Sequence, residues 1–423
     1  MNPGLVVKLR PAGPWRIGPD SGARNRVDFI YHSDSLYSAV SSAMAKLGSL
    51  DEWLQATAHA ASPAVCFSSC FPFLDEIGFV APPRTVWPPV SPAMMAARIR
   101  WKSARFVPLG IVQAVLAGQT LDERHWSVDG PSQCLVPTGR SGPFRTDMRW
   151  NAAVDRCTGV TERHSTACLE FRPGAGLWTV VSFPDEAAHG RWLGPVKAAF
   201  RLLADTGFGG ERSRGWGRSE TPEFIEGQLP DMILPPPPVF VEPALEKTEI
   251  VAGEAAVEAP PEVAPLVVES GRAAAEVEPP AVEEPALAAA PLAETAPGPP
   301  APEPAPPEVA APMVEEPVEE PAPATAPEGA HLYWLLSLFS PAPTDAVDWN
   351  RGNYSVLTRG GRIDSPSGSG ELKKQVQMVT EGSVLHAAGP PAGTAPDVAP
   401  DGFAHPVFRA GFAVAIPLPG VRS

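Results

Sequence analysis

The chain has 423 residues, enough for two ordinary domains and a linker, and a formal net charge of −15. That charge sits in one place: residues 231–330 hold 20 acidic and 2 basic residues, and the remainder holds 28 acidic and 31 basic, so a polyanionic partner is not excluded. Five cysteines with no C-x-x-C, and no Cys/His grouping at zinc-ligand spacing, point away from a disulfide framework or a metal site. No run approaches the roughly 18 apolar residues of a membrane span, and the opening MNPGLVVKLRP lacks an apolar leader core. A cytoplasmic protein without cofactors or membrane contact is expected.

Residues 5–9 (LVVKL) predict a short strand, ended by Pro11, Gly13 and Pro14. In DFIYHSDSLYSAVSSAMAKLG, Ser33 or Asp34 can start a helix whose apolar stripe is Leu36, Val40, Ala43, Met44 and Leu47, with Gly48 as its stop. His32, Ser33 and Ser35 then surround a helix N-terminus, where spare N–H groups favour an anion. An ordinary cap with a hydrogen-bonded histidine accounts for the same residues.

Residues 49–167 read as irregular apart from a short helix near 109–118. Arg140, Arg145, Arg149, Arg156 and Arg163 punctuate this stretch beside Trp150, as a basic arm reaching a polyanion or as a solvated surface excursion. Residues 168–171 and 177–183 predict strands joined by RPGAG as a hairpin. Trp192, Val196, Ala199, Phe200 and Leu203 predict a helix over 186–208, with Gly207 as its stop, and a strand follows over 218–225. The order β-α-insertion-β-β-α-loop-β is that of a ferredoxin-like, RRM-like βαββαβ unit.

Between the last helix and strand lies GFGGERSRGWGRS. Gly207, Gly209, Gly210, Gly215 and Gly217 let the backbone approach a ligand. Arg212, Arg214 and Arg218 offer forked donors to phosphate oxygens, with Ser213 between the first two, and Trp216 offers a face for a base. A dinucleotide fingerprint would need glycine at Arg212, and a phosphate-binding P-loop would need Lys-Ser/Thr where Trp216 and Gly217 stand. The pattern predicts contact with a nucleotide-type anion; a glycine-rich connector with solvated arginines is the alternative.

Residues 230–329 are an acidic Pro/Ala/Glu-rich stretch without helical or strand period, expected to be a disordered linker. Order is expected again over 330–423, beginning at HLYWLLSLF and carrying another Gly/Arg turn at Arg359, Gly360, Gly361 and Arg362. The first folded block is accordingly 1–229, with its insertion at about 49–167.

Taken together, YHSDSLYSAV, the glycine loop 207–217, TRGGR (358–362), TEGSV (380–384) and HPVFRAGFAVAIPL (405–418) resemble, in order, the RAMP-superfamily subunit four of the Csm complex, the type III-A CRISPR effector. The acidic linker departs from that pattern. The resemblance implies an α+β protein of two ferredoxin-like RAMP units with a thumb-type insertion, and no catalytic activity. It implies a subunit that caps the crRNA 5′ handle and bridges the large polymerase-like subunit to the backbone RAMP subunits, with target RNA near the thumb. Carried onto this chain, the handle would meet His32, Ser33, Gly207, Gly209, Gly210, Arg212, Ser213, Arg214, Gly215, Trp216, Gly217, Arg218, Arg359, Gly360 and Gly361. The thumb would lie within 137–163, with Arg140, Arg145, Arg149 and Arg156.

Two other functions fit parts of the sequence. A RAMP-type endoribonuclease that processes precursor crRNA would use His32 as general acid or base. A protein-only scaffold would use the apolar surface beside the glycine loop, or the acidic linker itself.

Overall fold

The computed structural model describes residues 2–19, 22–89, 100–235, 331–365 and 368–419. The linker expected over 230–329 lies outside the described residues apart from 230–235. The blocks before and after it belong to one compact unit and share one hydrophobic core.

A seven-stranded antiparallel sheet forms the first block. Its order is Glu223–Leu229, Asn2–Leu9, Ala175–Ser182, Phe71–Leu74, Ile77–Val80, Val107–Pro108, with Cys66–Phe67 also pairing with Ala175–Ser182. The LVVKL run makes the strand next to the edge for a plain reason. Its period of two buries Leu5, Val7 and Leu9 completely on one face, while Val6 and Lys8 turn to the other. Leu5 sits opposite Val181 and Val7 opposite Thr179.

Two helices pack on one another beside this sheet. Ser33–Lys46 buries Leu36, Tyr37, Val40, Ala43 and Met44; Glu186–Thr206 buries Trp192, Val196, Ala199, Phe200 and Leu203. Trp53 of the short helix Leu50–Ala56 stacks on Tyr37 at 5.7 Å and meets Trp192 edge-on at 5.4 Å, closing the helical layer. The long helix is capped by Asp185, whose Oδ1 accepts from the Ala188 N–H at 2.8 Å. It runs through Pro195 and ends at Gly207, which takes φ +76° and donates its N–H to Leu203 at 2.8 Å.

Two local expectations are corrected. Residues 49–167 are not irregular: besides the expected helix, which spans Leu109–Leu116, they supply four strands of the main sheet and the short helix Leu50–Ala56. Those strands are two to four residues long, too short for a period to show. Nor do the strands flanking RPGAG pair with each other. Ala175–Ser182 joins the main sheet, whereas Thr161–Phe171 pairs with Phe144–Val154 in a separate two-stranded hairpin, in register from Phe144↔Phe171 to Val154↔Thr161. Its base is fixed by Phe144, 5.4 Å from Phe29 and 5.6 Å from Phe171, and by reciprocal backbone bonds between Trp15 and Leu169. Its far half is exposed, with Trp150 at 74 %.

The second block is built from strands, with no helix among the described residues. Val347–Asn353, Val384–Ala387, His331–Leu335 and Ala415–Pro417 form a four-stranded sheet, accompanied by three two-stranded pairs. Trp334, Leu336, Phe412 and Ile416 enter the core shared with the first block. The Trp334 indole N–H donates to Ala81 O at 3.1 Å, and Phe412 meets Tyr37 edge-on at 5.6 Å. The architecture is α+β, with several sheets and few helices.

Candidate nucleic-acid interface

The sequence motifs converge because the two blocks share a buried polar seam at the start of the helix Ser33–Lys46. Asp34, buried in the first turn, receives Arg359 through Nε at 3.1 Å and a terminal nitrogen at 3.1 Å, and Arg409 through a second terminal nitrogen. Arg359 also donates to Ser35 Oγ at 3.0 Å, and Arg409 to the Gly360 carbonyl. Burial alone would raise the Asp34 carboxyl, but Arg359 and Arg409 beside it bring it down to about 2.

One step earlier, His32 is 4 % exposed. It donates from Nδ1 to Glu381 at 2.7 Å and from Nε2 to Asp28 at 3.3 Å. Burial would lower its pKa, but the Glu381 carboxylate and the bond to Asp28 raise it to about 9, so it is an imidazolium at neutral pH. Glu381, from TEGSV, is itself held low against the cost of burial by His32 and by the Ser69 hydroxyl. Ser33 Oγ accepts from the Leu338 N–H at 3.0 Å. His32 and Ser33 therefore tie the blocks together and do not line the neighbouring cleft. The helix N-terminus already holds an anion of its own, since Asp34 Oδ1 accepts from the Ser35 N–H at 2.7 Å.

That cleft, about 310 Å³, opens on the flank of the same helix. Gly207, Gly209 and Arg212 of the glycine loop line it together with Arg359, Gly360 and Gly361 of the second block. Lys46, Arg362, Lys373 and Arg409 complete a set of six basic side chains facing one carboxylate, Asp34. Such a ratio in a concave wall focuses positive potential. Ser38 and Ser42 add hydroxyls, and Phe408 a half-buried aromatic ring.

The glycine loop is held from behind by Arg16, buried among the carbonyls of Ala23, Arg24 and Ala167 at 2.8–3.0 Å. Its backbone carbonyl accepts from the Gly210 N–H at 2.8 Å, and Pro14 O accepts from Gly217 at 3.1 Å. Arg212–Arg214 form one 3-10 turn entered through Glu211 at φ +60°. Arg212, Ser213, Arg214 and Arg218 are exposed and Trp216 is half-buried, but of these only Arg212 reaches the cleft. Arg214 lies 3.3 Å from Glu211, and Gly210, Gly215 and Gly217 lie outside the lining.

The arginines placed in the thumb are spread over the exposed hairpin and its approach. Arg145 and Arg149 bond Glu170 on the partner strand, at 2.6 and 3.1 Å, while Arg140 and Arg156 are exposed. No group of three or more potential metal-ligating side chains is present among the described residues, and no described helix is long and apolar enough to cross a membrane.

Sequence reasoning missed Lys46, Ser38, Ser42, Lys373 and Arg409 as cleft residues, and marked Arg362 only as part of the Gly/Arg turn. A signal existed for the first three: Ser35, Ser38, Ser42 and Lys46 recur at helical spacing along the polar face. Arg409 stands inside the HPVFRAGF motif, but nothing local marks its partner.

These features sit on an α+β scaffold with several sheets and few helices. A chain of the Csm3–Csm4 subcomplex in the type III-A CRISPR-Cas interference complex is 13 % identical, over 98 % of this chain and 99 % of that one, with a TM-score of 0.50. Chains of the Csm1–Csm4 cassette in complex with cA4 and with pppApA are 13 % and 14 % identical, each at a TM-score of 0.48, over 99 % and 100 % of this chain and 98 % and 100 % of theirs. For the Csm3–Csm4 chain, at 13 % identity, the likeness is one of fold. No curated protein sequence matches the chain. Residues 328–418 match the family model of the CRISPR Csm4 C-terminal domain, the stretch that contains Arg359, Glu381 and Arg409. That match covers the second block alone.

Proposed function

We propose that this chain is a non-catalytic RNA-binding subunit of a type III-A CRISPR ribonucleoprotein that caps the crRNA 5′ handle. It would bridge the large polymerase-like subunit to the backbone RAMP subunits. The observation that carries the RNA-binding half is the cleft in which Gly207, Gly209 and Arg212 meet Arg359, Gly360 and Gly361, six basic groups facing one carboxylate. Phosphates of a single strand fit such a wall, and splayed bases stack on neighbouring rings. The bridging half rests on the match of residues 328–418 to the model of the CRISPR Csm4 C-terminal domain. In this reading the first block is a ferredoxin-like unit, supported by its strand order and its two packed helices. The second block is its partner unit, reduced to strands, and the hairpin Phe144–Val154/Thr161–Phe171 is the thumb. Arg214, Trp216 and Arg218 would follow the strand beyond the cleft.

The endoribonuclease reading loses its candidate. A buried imidazolium with both nitrogens engaged has no free lone pair to take a proton from a ribose hydroxyl.

The test is sequencing of RNA crosslinked to the full chain after co-expression with its genomic neighbours, comparing wild type with Arg212→Ala/Arg362→Ala/Lys373→Ala. Crosslinks stacked at one fixed 5′ end and lost in the triple variant support the proposal. Random or absent crosslinks in the wild type refute it and leave a protein scaffold.

A further inference from the structure

The strand Val347–Asn353 lies at one end of the four-stranded sheet and loses register with its neighbour. Asp348 stands opposite His386 and Asn353 opposite Val384, so residues 349–352 bulge against Leu385 alone. A bulge at a sheet edge re-aims side chains, and bulges gather beside binding sites. This one presents Trp349, Asn350 and Arg351 to solvent, and the exposed Tyr354 follows it. Trp349 stacks on the buried Phe339 at 6.5 Å and meets Tyr354 edge-on at 5.2 Å, which fixes both rings. Each is nevertheless 37 % exposed. Amides and cations surround them. Asn353 Nδ2 donates to the Arg84 carbonyl at 3.2 Å, which brings the exposed Arg84 beside this strand. Asp348, the one carboxylate of the strand, accepts from the Asn350 N–H at 3.1 Å within its own turn. From Tyr354 the chain runs through the strand Val356–Arg359 into the cleft, about 17 Å for five extended residues. The core of a protein interface excludes charge, whereas fixed rings among arginines and amides suit a nucleobase and its phosphates.

We propose that Trp349 and Tyr354 form a stacking site for a nucleobase of single-stranded RNA, with Arg351 and Arg84 taking its phosphates. The site rests on the RNA-binding reading and extends it beyond the cleft, along the second block. Stacking of this kind accepts any base, because every base has a π-face. Its part is to hold the strand, and sequence is read elsewhere.

The probe is an eight-nucleotide single-stranded RNA carrying the fluorescent base 2-aminopurine at one position at a time, added to the full chain. Stacking on a ring quenches its fluorescence. Wild type is expected to quench it on binding, and Trp349→Leu to lose part of that quenching with affinity about tenfold weaker, within the worth of one base–aromatic stack. Trp349→Phe, which keeps a ring, should restore both. Unchanged quenching and affinity in Trp349→Leu overturn the site and leave the RNA reading standing. No RNA binding by wild type refutes that reading and the site with it. Loss of a co-purifying protein subunit in Trp349→Leu, with RNA affinity unchanged, overturns the site in favour of a protein contact. Should Trp349→Leu fold poorly, Arg351→Ala leaves the ring stack in place. Weaker RNA binding with a salt dependence lower by about one unit then supports the site, and an unchanged affinity and slope overturn it.

Discussion

Arg359 grips both oxygens of Asp34, at 3.1 Å each, across 325 residues of sequence. Both partners are buried, so the pair works as a strut between the blocks. Removing one member of a buried pair strands the other charge. Asp34→Asn is expected to cost about 3–5 kcal/mol in urea unfolding at pH 7. A loss below about 1 kcal/mol, the worth of an exposed pair, would show that the strut carries no load. Because the folded carboxyl is depressed, its contribution is present above the unfolded value and is lost as pH falls from about 4 through about 2.

His32 gives the opposite slope. Its folded pKa is raised to about 9, so its stabilisation is complete below about 6.5, the unfolded value, and is lost as pH rises through 9. Wild-type stability should decline across that window, and the decline should be missing in Glu381→Gln. A His32 ring titrating near 6.5 by NMR in the folded chain would contradict this.

Within the glycine loop, position decides sensitivity. At Gly217, φ is +78° and an added Cβ would lie 2.0 Å from the Phe208 carbonyl oxygen. At Gly215, φ is +79° with nothing within 4 Å. Gly215→Ala should cost about 1–2 kcal/mol, the price of a left-handed residue. Gly217→Ala should cost more and displace the loop, because the clash is with backbone. Equal thermal shifts in the two variants would contradict the packing of Gly217 on Phe208.

The seam and shared core also predict that the chain tolerates a break between its blocks. Residues 1–235 and 331–423, co-expressed as separate chains, should co-purify. Glu381→Ala together with Arg359→Ala should weaken that association at least tenfold, since both ties cross between blocks. Failure of the two unmodified pieces to associate would mean that the linker supplies the affinity.

The sequence showed the parts with period or punctuation. The strand at residues 5–9, the helix opening at Ser33 and the helix ending at Gly207 were legible from burial pattern, cap and positive-φ stop. The strands between 66 and 108 were not, because two to four residues carry no measurable alternation. The same limit applies to the site. Arg212 and Arg359 announced themselves beside glycines, whereas the pairing of Asp34 with Arg359 and of His32 with Glu381 spans more than 300 residues and has no local trace. His32 stands at the helix start that the motif marks, but it is buried in the seam against Glu381.

The helix Ser33–Lys46 has its first turn bolted between the blocks while its flank forms the cleft wall. The cleft is therefore rigid before anything enters it. Arg359 and Arg409 have surrendered their rotamer freedom during folding, so a strand that binds there does not bear that ordering cost again. Affinity gained in this way should appear as slow dissociation, with the ligand doing most of the conformational adjustment.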